Sequence, residues 1–213
     1  LFSMFLSANT MAQVLWVRNY DVAVGVAKKM NKLIVMDFWA VWCTPCLRMD
    51  EKLWESEEMK KLAKNFVCLR VNYDYDLKLV SHYAVRAIPR VIIITAAGEV
   101  LYDNLGFMDE ESYLTVFRAI PGDIGELNIK SIALEENKKD PRANYSLGTE
   151  FQRIAKNITN DELKRNFLSC GSKYLNKAQN LCSDPVLAEE IELYTVLNDV
   201  YAGRNQKALK MLE

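Results

Sequence analysis

"FWAVWCTPCLRM", residues 38–49, carries two cysteines, Cys43 and Cys46, separated by Thr44 and Pro45. Its first residues end a longer run, "LIVMDFWAV" (33–41), which is apolar and β-rich with one acid inside. That is the pattern of a central strand buried on both faces. Beyond the cysteines, apolar residues at Leu47, Leu53, Met59 and Leu62 with charges between them predict one long amphipathic helix from Thr44 to about Lys64. A strand thus hands the chain to a helix, and Cys43 falls at or just before the helix N-terminus. Unpaired N–H groups and the positive end of the helix dipole favour a thiolate there. Pro45 suits the first turn, where its missing N–H costs nothing. Cys46, one turn in, is placed to close a disulfide with Cys43 and is expected to be the more shielded. Only a thiolate attacks a disulfide, so Cys43 is the expected attacker and Cys46 the resolving thiol.

The spacing is also that of half a zinc site, which needs about four ligands. The chain offers one CxxC and one histidine, His82, in a predicted helix, so no metal site is expected and His82 is taken as a surface or packing residue.

Working outward, "YDVAVGVAKKMNK" (20–32) shows helical spacing, "FVCLRVNYD" a second buried strand with Cys68 inward, and "DLKLVSHYAV" a short helix. "RVIIITAAGEVLYDNLG" predicts a strand, a turn at Ala97–Gly98 and another strand, and "DEESYLTVFRAI" a helix opened by acids. The order αβαβαββα defines an α/β sandwich whose last hairpin is antiparallel. Strand signals vanish after "AIPGDIGELN" (119–128). The remainder holds two segments that begin Asp-Pro, at Asp140 and Asp184, a good helix start. Small residues follow (Ala143, Gly148, Ala155; Ala188, Ala202, Gly203) that allow close helix packing. These suggest stacked antiparallel helix hairpins, weakly similar to tetratricopeptide repeats, although the spacing of 44 exceeds that family's period of about 34. The expected division is 13–121 for the α/β domain and 122–213 for an all-α region, with "ALKMLE" ending in mid-helix.

Residues 1–12, an apolar run followed by small and polar residues, have the shape of the end of a secretory signal peptide and are set apart from the fold. Export, to a periplasm or its equivalent, is therefore expected, with a cytoplasmic location as the alternative. No segment is long enough to span a bilayer. The 213 residues carry a net charge of −1, without the basic bias a nucleic-acid binder needs. Five cysteines, an odd number, do not form a disulfide framework. Cys170 and Cys182 share one helical region but lie too far apart for helix geometry to join them, and are expected to be free, partly buried thiols.

A strand, Trp-Cys-Xaa-Pro-Cys and a helix resemble the thioredoxin family over roughly residues 20–119. The resemblance implies a thioredoxin-like fold, a central mixed sheet flanked by helices, here followed by the helical-hairpin region. "MDFWAVWCTPC" is similar to the family's active-site segment, with Thr44 where Gly is usual. It implies that Asp37 is the buried acid that moves a proton to or from the resolving cysteine. "YAVRAIPRVIII" resembles the cis-proline segment, which implies Pro89 opposite the disulfide and Ile88 offering backbone groups to a substrate strand. Arg90 stands where Thr is common, a cation beside the substrate groove or a plain surface charge. Arg70 falls where the family has a lysine near the acid, and Glu51 where it often has a kinking proline, so a straighter helix is expected. Trp42, Thr44 and Pro45 complete the implied substrate-binding surface. The stretch "MDEKLWESEEMKKLAKNFVCLRVNYD" resembles the thioredoxin-like domains of exported bacterial thiol reductases more than cytosolic thioredoxin.

The resemblance implies a thiol–disulfide oxidoreductase acting on protein thiols and disulfides, fed by an unidentified electron donor. It needs no cofactor beyond the Cys43–Cys46 pair. Potentials in this fold run from about −270 mV to about −120 mV. Thr44 adds no charge between the cysteines, which favours the reducing half. The helical region is a candidate surface for a protein partner. The alternative class is a helix-repeat adaptor in which the pair is a sensor or structural.

Overall fold

The computed structural model describes residues 13–122 and 124–210. The signal-peptide expectation for residues 1–12 lies outside them, as does the end of the helix expected at "ALKMLE". The chain opens with β1 (Trp16–Val17), α1 (Tyr20–Met30), β2 (Leu33–Trp39) and α2 (Thr44–Met49). It continues through α3 (Glu57–Leu62), β3 (Phe66–Asn72), α4 (Leu77–His82), β4 (Arg90–Ile94), β5 (Val100–Leu105) and α5 (Glu110–Ala119). Helices α6 (Gly125–Glu136), α7 (Pro141–Ala155), α8 (Asp161–Leu181), α9 (Pro185–Tyr201) and α10 (Asn205–Lys210) follow.

The sheet order is β1-β3-β2-β4-β5, with β1 and β2 parallel to β3 and the β2–β4 and β4–β5 pairs antiparallel. This is a thioredoxin-like fold followed by a helical region. Strand β2, central and buried along Leu33–Phe38, splits its side chains by parity. Ile34, Met36 and Phe38 join Ala23 and Ala27 of α1 on one face, while Leu33 and Val35 join Met49, Tyr113 and Phe117 on the other. Asp37 shares the parity of Leu33 and Val35, so its carboxyl points into the second layer.

The long straight helix expected from Thr44 to Lys64 does not form. After α2 the backbone widens into a π-helical turn, Asp50–Trp54, in which Glu55 N–H reaches back to Asp50 O at 3.0 Å. The helix then stops, and Ser56 restarts it by accepting a 3.2 Å hydrogen bond from Met59 N–H. Ser56 followed by Glu57 and Glu58 is a cap with acids in the first turn, a start signal that outweighs the absence of proline at residue 51.

The two Asp-Pro signals act as expected: Asp140 and Asp184 cap α7 and α9. Helices α7 and α8 cross at two glycines. A Cβ on Gly148 would stand 2.9 Å from Leu175 Cγ and 3.1 Å from Gly171 O. Gly203, expected among the packing residues, instead ends α9 with φ 75°, a left-handed stop that glycine adopts without strain. One hydrophobic cluster runs from Leu33 and Val35 through Phe117, Leu127 and Phe151 to Tyr174, so the sheet and helices α5 to α8 share a core. None of the described helices is long and apolar enough to cross a membrane.

Candidate active site

Strand β2 ends at Trp39, and Cys43 follows as the N-cap of α2. Cys43 and Cys46 form a disulfide with Sγ–Sγ 2.03 Å and Cα–Cα 5.2 Å. Cys46 N–H points at Cys43 Sγ, 3.2 Å away, while Cys46 N–H and Leu47 N–H also face Cys43 O. An N–H placed this way at a helix start is the arrangement that favours a thiolate over a thiol. The expected difference in shielding is small: Cys43 is 3% and Cys46 1% exposed. What distinguishes the two sulfurs is the N–H aimed at Cys43.

Trp39, Ala40, Tyr73 and Ile88 pack around the pair. Trp42, 60% exposed, stands edge-on to Tyr73 and donates from Nε1 to Asp74 Oδ2 at 2.9 Å. Thr44 and Pro45 are exposed at the mouth. The Ile88–Pro89 peptide is cis. Pro89 O accepts from Gly106 N–H at 2.8 Å, whereas the N–H and C=O of Ile88 have no partner among the described residues. Arg90 turns away from the cysteines: it grips Asp103 through Nε (2.6 Å) and Nη2 (2.5 Å), and Nη1 donates to Ala84 O. Its charge is therefore spent within the β4–β5 hairpin.

Beneath the disulfide strand lies an acid–arginine cluster. Register sets Asp37 beside Arg70 of β3 and Val91 of β4. Asp37 is fully buried, and Arg70 Nε approaches its Oδ2 at 3.3 Å. Burial pushes the Asp37 carboxyl up to about 7, against a smaller downward pull from Arg70. Arg70 itself is held by Asp50 and lies over the rings of Trp39 (4.2 Å) and Trp16 (5.1 Å). The family resemblance led to Asp37 and Arg70 but not to Asp50, Trp16 or Tyr73. Asp50 had a usable signal, since it lies four residues after Cys46 and so on the same helix face. Trp16 had none, because a two-residue strand leaves no pattern.

A helix-capping disulfide beside a buried acid and a cis-proline loop defines, with this sheet, a thioredoxin-like oxidoreductase. A family model described as thioredoxin-like matches residues 15–96. Thioredoxin H4 of Arabidopsis thaliana is 34% identical over 92 residues, covering 43% of this chain and 75% of that protein. Thiol:disulfide interchange protein DsbD of Vibrio cholerae is 26% identical over 98 residues, 43% of this chain but 16% of that one. A thioredoxin from Thermus thermophilus solved in solution covers 50% of this chain and 85% of that one, with 20% identity and a TM-score of 0.46. The chain belongs to the thioredoxin family.

Proposed function

We propose that the chain reduces disulfides of protein substrates through Cys43 and Cys46. The observation that carries this is the N–H of Cys46 aimed at Cys43 Sγ at the helix start, which favours a thiolate once the pair is reduced. The free N–H and C=O of Ile88, packed against the same pair, suit a substrate strand laid alongside.

The Cys43 thiolate attacks one sulfur of the substrate disulfide, and the other sulfur leaves as a thiolate. Cys46 then gives its proton to the Asp37 carboxylate, directly or through one water, and attacks Cys43 Sγ. The Cys43–Cys46 bond forms, the bond from Cys43 to the substrate breaks, and the second substrate sulfur leaves. Two electrons pass to the substrate, and a dithiol donor must return them. Trp42, Thr44 and Pro45 form the exposed rim around the attacked bond. The reducing direction rests on Thr44, which adds no charge to stabilise the reduced pair. Arg90, bound to Asp103, shapes the rim without offering a free cation.

Export is favoured by the small-residue pattern of residues 1–12. The hairpin formed by α7 and α8, joined by α9 and α10, supports a repeat-like partner surface, and no cofactor beyond the cysteine pair enters the cycle.

Insulin reduction with dithiothreitol as donor tests the reading. Turnover is expected, and a Cys46→Ser variant should hold substrates as mixed disulfides on Cys43. No turnover and no trapped adduct would leave the adaptor class in its place.

A further inference from the structure

Arg70 lies beside Asp37 but is not its hydrogen-bonded partner. Its Nη2 stands 2.7 Å from each carboxylate oxygen of Asp50. Only Nε faces Asp37, at 3.3 Å and off the line that a hydrogen bond requires, so Arg70 Nε and both Asp37 oxygens lack hydrogen bonds. The guanidinium also lies over the rings of Trp39 and Trp16, which help hold it where Asp50 binds it. Asp50 gains its position from the widened turn: its N–H bonds to both Cys46 O and Leu47 O, and the π-helical segment begins at this residue. Such widened turns are common at functional sites.

The geometry points to Asp50 as a positioning residue for the exchange: by holding Arg70 in a two-oxygen ion pair, it keeps the guanidinium from hydrogen-bonding the Asp37 carboxylate, whose oxygens stay open to the Cys46 proton. This rests on the proposed exchange and on Asp37 as its base. A nearby arginine charge lowers a carboxylate's titration by about one to three pH units, and hydrogen bonds to the charged form lower it further. Without those hydrogen bonds Asp37 is pushed up to about 7: burial raises it most, the Arg70 charge lowers it, and the Asp50 charge raises it by less.

The surroundings make the effect readable. From β3, Arg70 and Cys68 face Asp37; from α5, Tyr113; from the turn after α2, Asp50; β4 contributes Val91, which is apolar. Arg70 keeps its charge throughout. The Cys68 thiol and the Tyr113 phenol are both pushed up to about 12 by burial. A titration near neutrality in the oxidised protein therefore reports Asp37.

The test uses the full chain and two readouts. Carbon-13 NMR of the Asp37 carboxyl in the oxidised protein gives its midpoint. Stopped-flow reaction of the reduced protein with 5,5′-dithiobis(2-nitrobenzoate) releases one thiolate on attack by Cys43 and a second when Cys46 resolves. Asp50→Asn should lower the Asp37 midpoint by about one pH unit. The midpoint of the second release should move with it, and Asp50→Glu should restore both. In an Arg70→Met background the Asp50→Asn shift should fall below half. An unmoved Asp37 midpoint in folded Asp50→Asn overturns the inference. So does failure of both Asp50→Asn and Asp50→Ser to fold, which would make Asp50 purely structural. Should Asp37→Asn resolve as fast as the wild type, with the NMR shift intact, the base assignment fails instead and takes the catalytic role of Asp50 with it.

Discussion

Asn166 on α8 donates a 3.0 Å hydrogen bond to the carbonyl of Leu101 on β5, which ties the helical region to the edge strand of the sheet. Around it, Cys170 Sγ lies 3.9 Å from Val100 O, and Glu99 binds Lys173 and Tyr174. An edge strand offers unpaired backbone groups to other chains, and α8 covers this one. At the start of the central strand β2, Asn128 of α6, fully buried, donates to Lys32 O at 3.2 Å.

These ties, with the shared hydrophobic cluster, lead to one unfolding transition for the whole chain rather than two. Calorimetry is expected to show a single endotherm. A chain cut at residue 121 loses Leu127, Leu134, Leu147, Phe151 and Phe167 from the cluster that also holds Tyr113 and Phe117. Its midpoint should fall by on the order of 10 °C or more, since each 1 kcal/mol is worth several degrees at this size. Two separable transitions, with the shortened chain as stable as the first, would mean independent domains.

Gly148 sets a second expectation. Alanine in a helix interior normally gains about 1 kcal/mol over glycine. Here the added Cβ would meet Leu175 N at 3.0 Å and Gly171 O at 3.1 Å, both backbone atoms that cannot turn aside. Overpacking of this kind costs about 1–3 kcal/mol, so Gly148→Ala should destabilise on balance. Gly171→Ala would meet the Asn198 side chain and Gly148 O, both at 3.2 Å and so less tightly than the contacts at Gly148, and should cost less. Urea midpoints of the two variants provide the comparison.

The sequence was legible where one physical signal dominated. A short apolar, β-rich run marks a central strand, so β2 and its single acid stand out, and Asp-Pro marks the starts of α7 and α9. Legibility failed where signals competed. The apolar residues from Leu47 to Leu62 keep helical spacing throughout, and the Ser56 cap that divides them does not interrupt it. Helix α6 escaped notice because Asn128 and Ser131 occupy its buried face. The spacing from Cys46 puts Asp50 on the helix face of the cysteine but does not give its partner: Arg70 lies 20 residues on, and only the fold brings the two together.

Thiol accounting tests the cysteine assignments. The chain has five cysteines. With one disulfide, at Cys43–Cys46, the oxidised protein should show three thiols in denaturant, and five after reduction. In the folded state Cys68 and Cys170 are buried, with their thiols pushed up to about 12, and should not react at pH 8. Cys182, half-buried at the end of α8, should be the first of the three to be labelled. Fewer than three thiols in the oxidised, denatured chain would point to a second bridge.

Asp37 links the site to stability. Its carboxyl goes from an ordinary 3.8 to about 7 on folding, so between these values the folded state holds a proton that the unfolded chain releases. Stability therefore falls as pH rises through this window and is lowest, for this group, above pH 7. A rise of about 3 units corresponds to about 4 kcal/mol. Asp37→Asn removes the charge at similar volume, and should be more stable than the wild type at pH 8 by a few kcal/mol. At pH 4 the gap should nearly close, because the wild-type carboxyl is then neutral in the folded state. Denaturant titrations of the oxidised proteins at pH 4, 6 and 8 measure this directly. Parallel stability curves for the two would show that Asp37 is ionised in the folded protein throughout the range.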